Sequence, residues 1–291
     1  MWRSRVYVPL FLFVIVILQI VSTPVFAQDL RNRTEEMYPF GTVIIAKESL
    51  PDRVYESQRN KILISVIYFE KGTSKTVMSS MGTGFISESP GIIITVRHLL
   101  SEDSPMYDRV FMGTIVTDSA WINFPLSLVA VGERGTFKDM MALRTDVATM
   151  EKARIIGDVI NPNPYGILLK TSKFVDAKVD GKKIYISGFA PVVTDYPDKN
   201  NQPIPVYTDL INFTFLAEIT ASISNMPVNK ADTKKLFRLI DSAEPGFSGG
   251  KVMNNQGEVV GMTLAVTFSK NFVYVISSKD IKQFLKDHKI K

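Results

Sequence analysis

The chain has 291 residues, 45% hydrophobic and 22% charged, with 17 Gly and 15 Pro, a balance that excludes a collagen-like, low-complexity or largely disordered protein. It has no Cys and only two His, so disulfide scaffolds, thiolate zinc sites and cysteine nucleophiles are ruled out, and any imidazole chemistry falls to His98 or His288. The net charge of +5 is spread over scattered Lys and Arg, with short runs at Lys182-Lys183, Lys234-Lys235 and Lys286–Lys291, which read as a solvated surface rather than a nucleic-acid stripe.

In chain order, residues 1–27 read as a secretory signal peptide. Arg3 and Arg5 precede the apolar run Val8–Leu18, and Val25 and Ala27 stand at the small-residue cleavage positions before Gln28. The run is shorter than a spanning helix requires, and Gln19 and Pro24 interrupt its continuation, so membrane attachment is expected only if this segment stays uncleaved. Cleavage takes Arg3 and Arg5 with it and lowers the net charge from +5 to +3. An exported chain without Cys is expected in a bacterial periplasm or cell exterior. Residues 28–58 form a polar N-terminal extension whose apolar run, Thr42–Ala46, is expected as an edge strand or docked arm.

From Lys61 the texture changes. Apolar, β-branched runs recur between turn signals at Ile62–Phe69, Gly82–Ile86, Ile92–Val96, Val110–Val116 and Leu126–Val131. A break at Asn161–Gly166 follows, then further runs at Ile167–Leu169, Ile184–Gly188, Asn212–Ile219, Val259–Val266 and Phe272–Ile276. This spacing predicts an all-β sandwich or barrels rather than alternating β-α units. Asp180-Gly181 and Asn255-Gln256-Gly257 predict hairpin turns. The only helix predicted is Ser278–Lys286, with Ser278 as N-cap and Ile281, Phe284 and Leu285 on one face. The break divides the β region into units expected at 59–160 and 161–277, followed by a helical tail at 278–291.

Two segments can carry chemistry. In Pro245-Gly-Phe-Ser-Gly-Gly250, glycines flank Ser248 and permit a sharp bend that presents its hydroxyl. Successive backbone N–H groups there can converge on a developing oxyanion. As an isolated string, however, it also fits a structural loop. The second segment, Gly82-Thr-Gly-Phe-Ile-Ser followed by Pro90-Gly-Ile-Ile-Ile-Thr-Val-Arg-His98, puts His98 at a strand-to-loop junction, where scaffolds commonly hold functional groups.

Together with Asp146-Val-Ala148 and the strand Gln256-Gly-Glu-Val-Val-Gly261, these segments resemble the trypsin-like (chymotrypsin-fold) serine peptidases, particularly the HtrA-like bacterial branch. The resemblance covers roughly residues 61–278 in the family's order of His, Asp and Ser. It implies two six-stranded antiparallel β-barrels with a short C-terminal helix and the catalytic residues between the barrels. It also implies Ser248 as nucleophile, His98 as general base and the N–H groups of Gly246 and Ser248 as oxyanion hole. Asp146 is the expected acid; Asp139, which opens the similar string Asp-Met-Met-Ala-Leu, is the alternative. No metal or organic cofactor is implied, and the partner is a protein or peptide substrate. Only 43 residues follow Ser248, so no PDZ-like domain is expected after it.

Several residues depart from the family pattern. Phe247 stands where Asp or Asn usually precedes the nucleophile, which argues against activation by a newly cut N-terminus. Lys251 replaces a usual Pro, and Arg97 puts a cation before His98. Ser242, six positions before the nucleophile, argues against a preference for basic side chains, while neighbouring Asp241 keeps that preference open. Met262, Thr263 and Leu264 are expected to line a modest apolar pocket. Two other classes compete. One is a protease fold that binds peptides without turnover. The other is an α/β-hydrolase esterase built on Gly246-x-Ser248-x-Gly250 with Asp287 and His288, which requires a helix directly after Ser248.

Overall fold

A computed structural model of the chain describes residues 50–73, 75–101, 106–116, 121–145, 170–176, 183–197, 203–220, 236–240, 246–267 and 272–291. β-Branched and aromatic side chains favour extended backbone, and the strands grow out of the predicted apolar runs. After helix α1 (Asp52–Gln58), the first half contains β1 (Lys61–Glu70), β2 (Thr76–Ile86), β3 (Ile92–Val96), β4 (Tyr107–Val116), β5 (Trp121–Val131) and β6 (Met140–Arg144). They pair antiparallel in the order β1-β2-β3-β6-β5-β4, and β4 returns to β1 to close a six-stranded barrel. Closure leaves no unpaired edge.

The second half contains β7 (Lys183–Pro197), β8 (Pro203–Thr220), β9 (Leu236–Ile240), β10 (Lys251–Met253), β11 (Val259–Thr267) and β12 (Phe272–Ser277). These six form an antiparallel sheet in the order β10-β11-β12-β9-β8-β7, and β10 also pairs with β7. The chain is therefore predominantly β, ending in helix α2 (Ser278–Asp287). The buried core runs continuously from Ile62, Ile64 and Phe85 of the barrel to Val259 and Met262 of β11 and Ile281, Phe284 and Leu285 of α2.

Several elements differ from the sequence expectation. α1 falls in the polar N-terminal extension, where no helix is predicted. Pro51 precedes it, Asp52 sits in its first turn, and Val54 is its one buried residue, so it lacks the apolar stripe that announces a helix. β6 and β10 are short and carry at most one β-branched residue, so neither forms an apolar, β-branched run of the kind that marked the other strands. The cap of α2 is Ser277, not Ser278: Ser277 Oγ accepts from Asp280 N at 3.1 Å, while Ser278 Oγ donates to Val175 O at 2.6 Å. The turn at Asn255–Gly257 joins β10 to β11 as predicted, with Asn254 N donating to Glu258 O at 3.0 Å and Gly257 at φ 72°. The signal segment, Thr42–Ala46, the 160–166 break, Ile167–Leu169 and Asp180-Gly181 lie outside the described residues.

Candidate active site

The loop bearing Ser248 connects directly to β10 and docks on the barrel through Thr83. Thr83 N donates to Ser248 O at 2.8 Å, and Thr83 Oγ1 donates to Gly246 O at 2.8 Å while accepting from Phe189 N of β7 at 2.9 Å. Thr95 Oγ1 of β3 donates to Thr83 O at 2.7 Å. One fully buried threonine therefore ties β2, β3 and β7 to the serine loop. Gly246 and Gly249 take φ values of 102° and 86°, a left-handed conformation that glycine adopts without steric cost. A Cβ on Gly249 would also collide with Thr83 O and meet Thr95 Oγ1 at 2.5 Å. Among the described residues, nothing accepts from the N–H groups of Gly246 and Ser248, the two donors expected to form the oxyanion hole.

His98 lies in the short 3-10 turn Arg97–Leu99 that follows β3. Its Nδ1 is 3.4 Å from Asp139 Oδ2, and its backbone N–H donates to Asp139 Oδ1 at 2.8 Å. Gly135 N donates to Asp139 Oδ2 at 2.7 Å. Asp139 is 2% exposed, and the imidazole keeps 28% of its side-chain surface, so the acid is sealed while the ring stays reachable. Burial pushes the Asp139 carboxyl upward, but the His98 hydrogen bond and charge, with the Gly135 and His98 N–H groups, outweigh it and hold the group below the usual range. The carboxylate beside the imidazole thus belongs to Asp139; Asp146 lies outside the described residues.

The serine loop and the histidine turn meet at Gly82. A Cβ built there would be 3.0 Å from Ser248 O and 2.9 Å from both methyls of Leu99, the residue after His98. Among the described residues, no hydrogen bond joins Ser248 Oγ to the imidazole.

The departures from the family pattern have structural explanations. Phe247 is 1% exposed and packs on Gly188 of β7, where a Cβ would come within 2.6 Å of its ring. It anchors the loop through apolar contact. The Arg97 guanidinium donates to Leu100 O at 3.3 Å. Lys251 does not bring an exposed charge to the site: it is fully buried, and its ammonium reaches α1. Met262 and Leu264 belong to the core, and Thr263 uses its N–H and C=O on Gly250 and Gly249. Ser242 lies outside the described residues. The sequence reading missed Thr83, whose role is carried by its hydroxyl, and Lys61, fully buried with Nζ 2.7 Å from Ser187 Oγ. The esterase alternative is corrected: a strand and a hairpin follow Ser248, not a helix. His288 Nδ1 is 2.9 Å from Phe284 O at the end of α2.

No protein-family model matches the chain, and no curated protein does. Among solved structures it is similar to a serine-to-alanine mutant of Rv3671c from M. tuberculosis in an inactive form, at 13% identity and TM-score 0.50, covering 85% of this chain and 96% of that one. The active form of the Rv3671c protease is 14% identical, with TM-score 0.46, over 81% and 83% of the two chains. Likeness at this identity concerns fold alone: the chain shares the fold of Rv3671c.

Proposed function

We propose that this protein is an exported serine endopeptidase of the trypsin-like type, with the second sheet serving as the second barrel and the site between the two halves. Ser248 attacks the scissile carbonyl. His98 takes the serine proton and returns it to the leaving amine, and the N–H groups of Gly246 and Ser248 stabilise the oxyanion. Water then hydrolyses the acyl-enzyme. We assign the acid to Asp139, whose carboxylate holds the imidazole by its Nδ1 side and stabilises the imidazolium that forms. The observation that carries this reading is the buried Asp139 carboxylate against His98, beside a glycine-framed serine loop fixed by Thr83. A 3.4 Å contact is looser than a working catalytic hydrogen bond, as is common without substrate.

A second reading is a protease fold that binds peptides without cleaving them, favoured by the missing hydrogen bond between Ser248 and His98. Hydrolysis of casein or a peptide library separates the two. The peptidase reading expects turnover that falls by several powers of ten, about 10⁶-fold in a protease measured this way, in both Ser248→Ala and His98→Ala. Equal, residual hydrolysis by wild type and both variants would favour the binding protein.

A further inference from the structure

Lys251 stands three residues after Ser248, at the first position of β10, and none of its side chain reaches solvent. Its ammonium donates to Ser57 O at 2.8 Å, lies 3.3 Å from Ser57 Oγ, and donates to Asn60 Oδ1. It also lies 5.6 Å from the centre of the Phe85 ring. Three acceptors around three N–H bonds leave no donor unmet. Both oxygen-bearing residues belong to α1 and the turn that leads into β1, so the side chain joins the N-terminal segment to the strand that carries the serine loop.

Other contacts press the same helix onto the same hairpin. Leu50 and Val54 pack on Met253 at the end of β10. Arg53 donates to Gln256 at 2.6 Å, and a Cβ on Gly257 would collide with Arg53 O. Glu56 of the same helix pairs not with the hairpin but with Lys170, in the segment ahead of β7, at 3.0 Å. The serine loop itself is held to β11 by two short bonds, Gly249 N to Thr263 O at 2.7 Å and Thr263 N to Gly250 O at 2.8 Å. β10, between them, is three residues long.

We propose that Lys251 is a positioning residue: it clamps α1 under the β10–β11 hairpin and so holds Ser248 and its neighbouring N–H groups in register, making residues 50–60 an integral part of the site. A burial this complete costs the fold the hydration of an ammonium group, which a residue serving only as a strand former would not require. The proposal deepens the peptidase reading and rests on it for its activity readout, while its exchange readout is independent.

The test uses the full chain, a fluorophosphonate probe, and amide hydrogen exchange, all at a temperature well below the melting point of each variant. In Lys251→Met the labelling rate of Ser248 is expected to fall about tenfold or more, the scale on which small misplacements act, with the pH midpoint of labelling unchanged. The Gly249 and Thr263 amides are expected to exchange about tenfold faster. Val54→Ala loosens α1 from its apolar side without touching Lys251 and is expected to move both readouts in the same direction by a smaller factor. It decides the matter if Lys251→Met does not fold. Lowered melting points with wild-type labelling and wild-type exchange would overturn the proposal. A wild-type protein that takes no label sinks the peptidase reading, and exchange alone then decides this one.

Discussion

Asp139 is the residue on which sequence and geometry diverge. Asp146-Val-Ala148 matches the family's string more closely, whereas Asp139 opens Asp-Met-Met-Ala-Leu. What singles out Asp139 is three-dimensional: the backbone N–H groups of His98 and Gly135 converge on its carboxylate from separate turns, and no linear pattern encodes that. Asp139→Asn should keep the ring in place but favour the wrong tautomer, lowering kcat by about 10⁴-fold as for other triad acids. Asp146→Asn should change kcat less than a few-fold. Steady-state kinetics on one peptide substrate check both, and the opposite ranking would return the role to Asp146. Ser248 and His98, by contrast, are singled out by patterns that are local, a glycine-rich string and a strand end. Thr83 was legible only as part of a motif, since its hydroxyl serves partners more than 100 positions away.

Among elements, long strands such as β1 were readable because their apolar, β-branched runs stand between turn signals. β6 and β10 were hidden because they are short and carry at most one β-branched residue, and α1 because it has a single core residue. The serine loop has little room for substitution at its glycines. Gly249→Ala would place a methyl against Thr83 O at a backbone angle of φ 86°. Left-handed strain and overpacking together should cost at least ~2 kcal/mol, and the loop should withdraw from β2. Thermal unfolding and probe labelling of that variant should both show the loss, and wild-type values for both would mean that Thr83 does not hold the loop.

At the scale of the whole molecule, two buried lysines meet where the halves join. Burial pushes Lys251 well below the ordinary lysine value of 10.5. Burial does the same to Lys61, reinforced by the charge of Lys251. The unfolded chain therefore binds more protons than the folded one in the interval below 10.5, and stability should rise with pH across it. The penalty is full below the folded values and relieved as pH climbs towards 10.5. Melting temperatures of wild type and Lys251→Met between pH 7 and 9.5 test this: the gain with pH should be smaller in the variant, and parallel curves would show that the ammonium carries no such penalty. The sequence revealed a predominantly β protein, but not this charged seam, because nothing local marks a lysine as interior.

The claim on which the proposed function depends is that Ser248 is activated by His98. The most direct measurement is fluorophosphonate modification of the full chain at pH 8, with the labelled peptide identified by mass. The account predicts a single adduct on Ser248 in the wild-type protein and none in His98→Ala. A label that lands elsewhere, or that forms at the wild-type rate without His98, would contradict it.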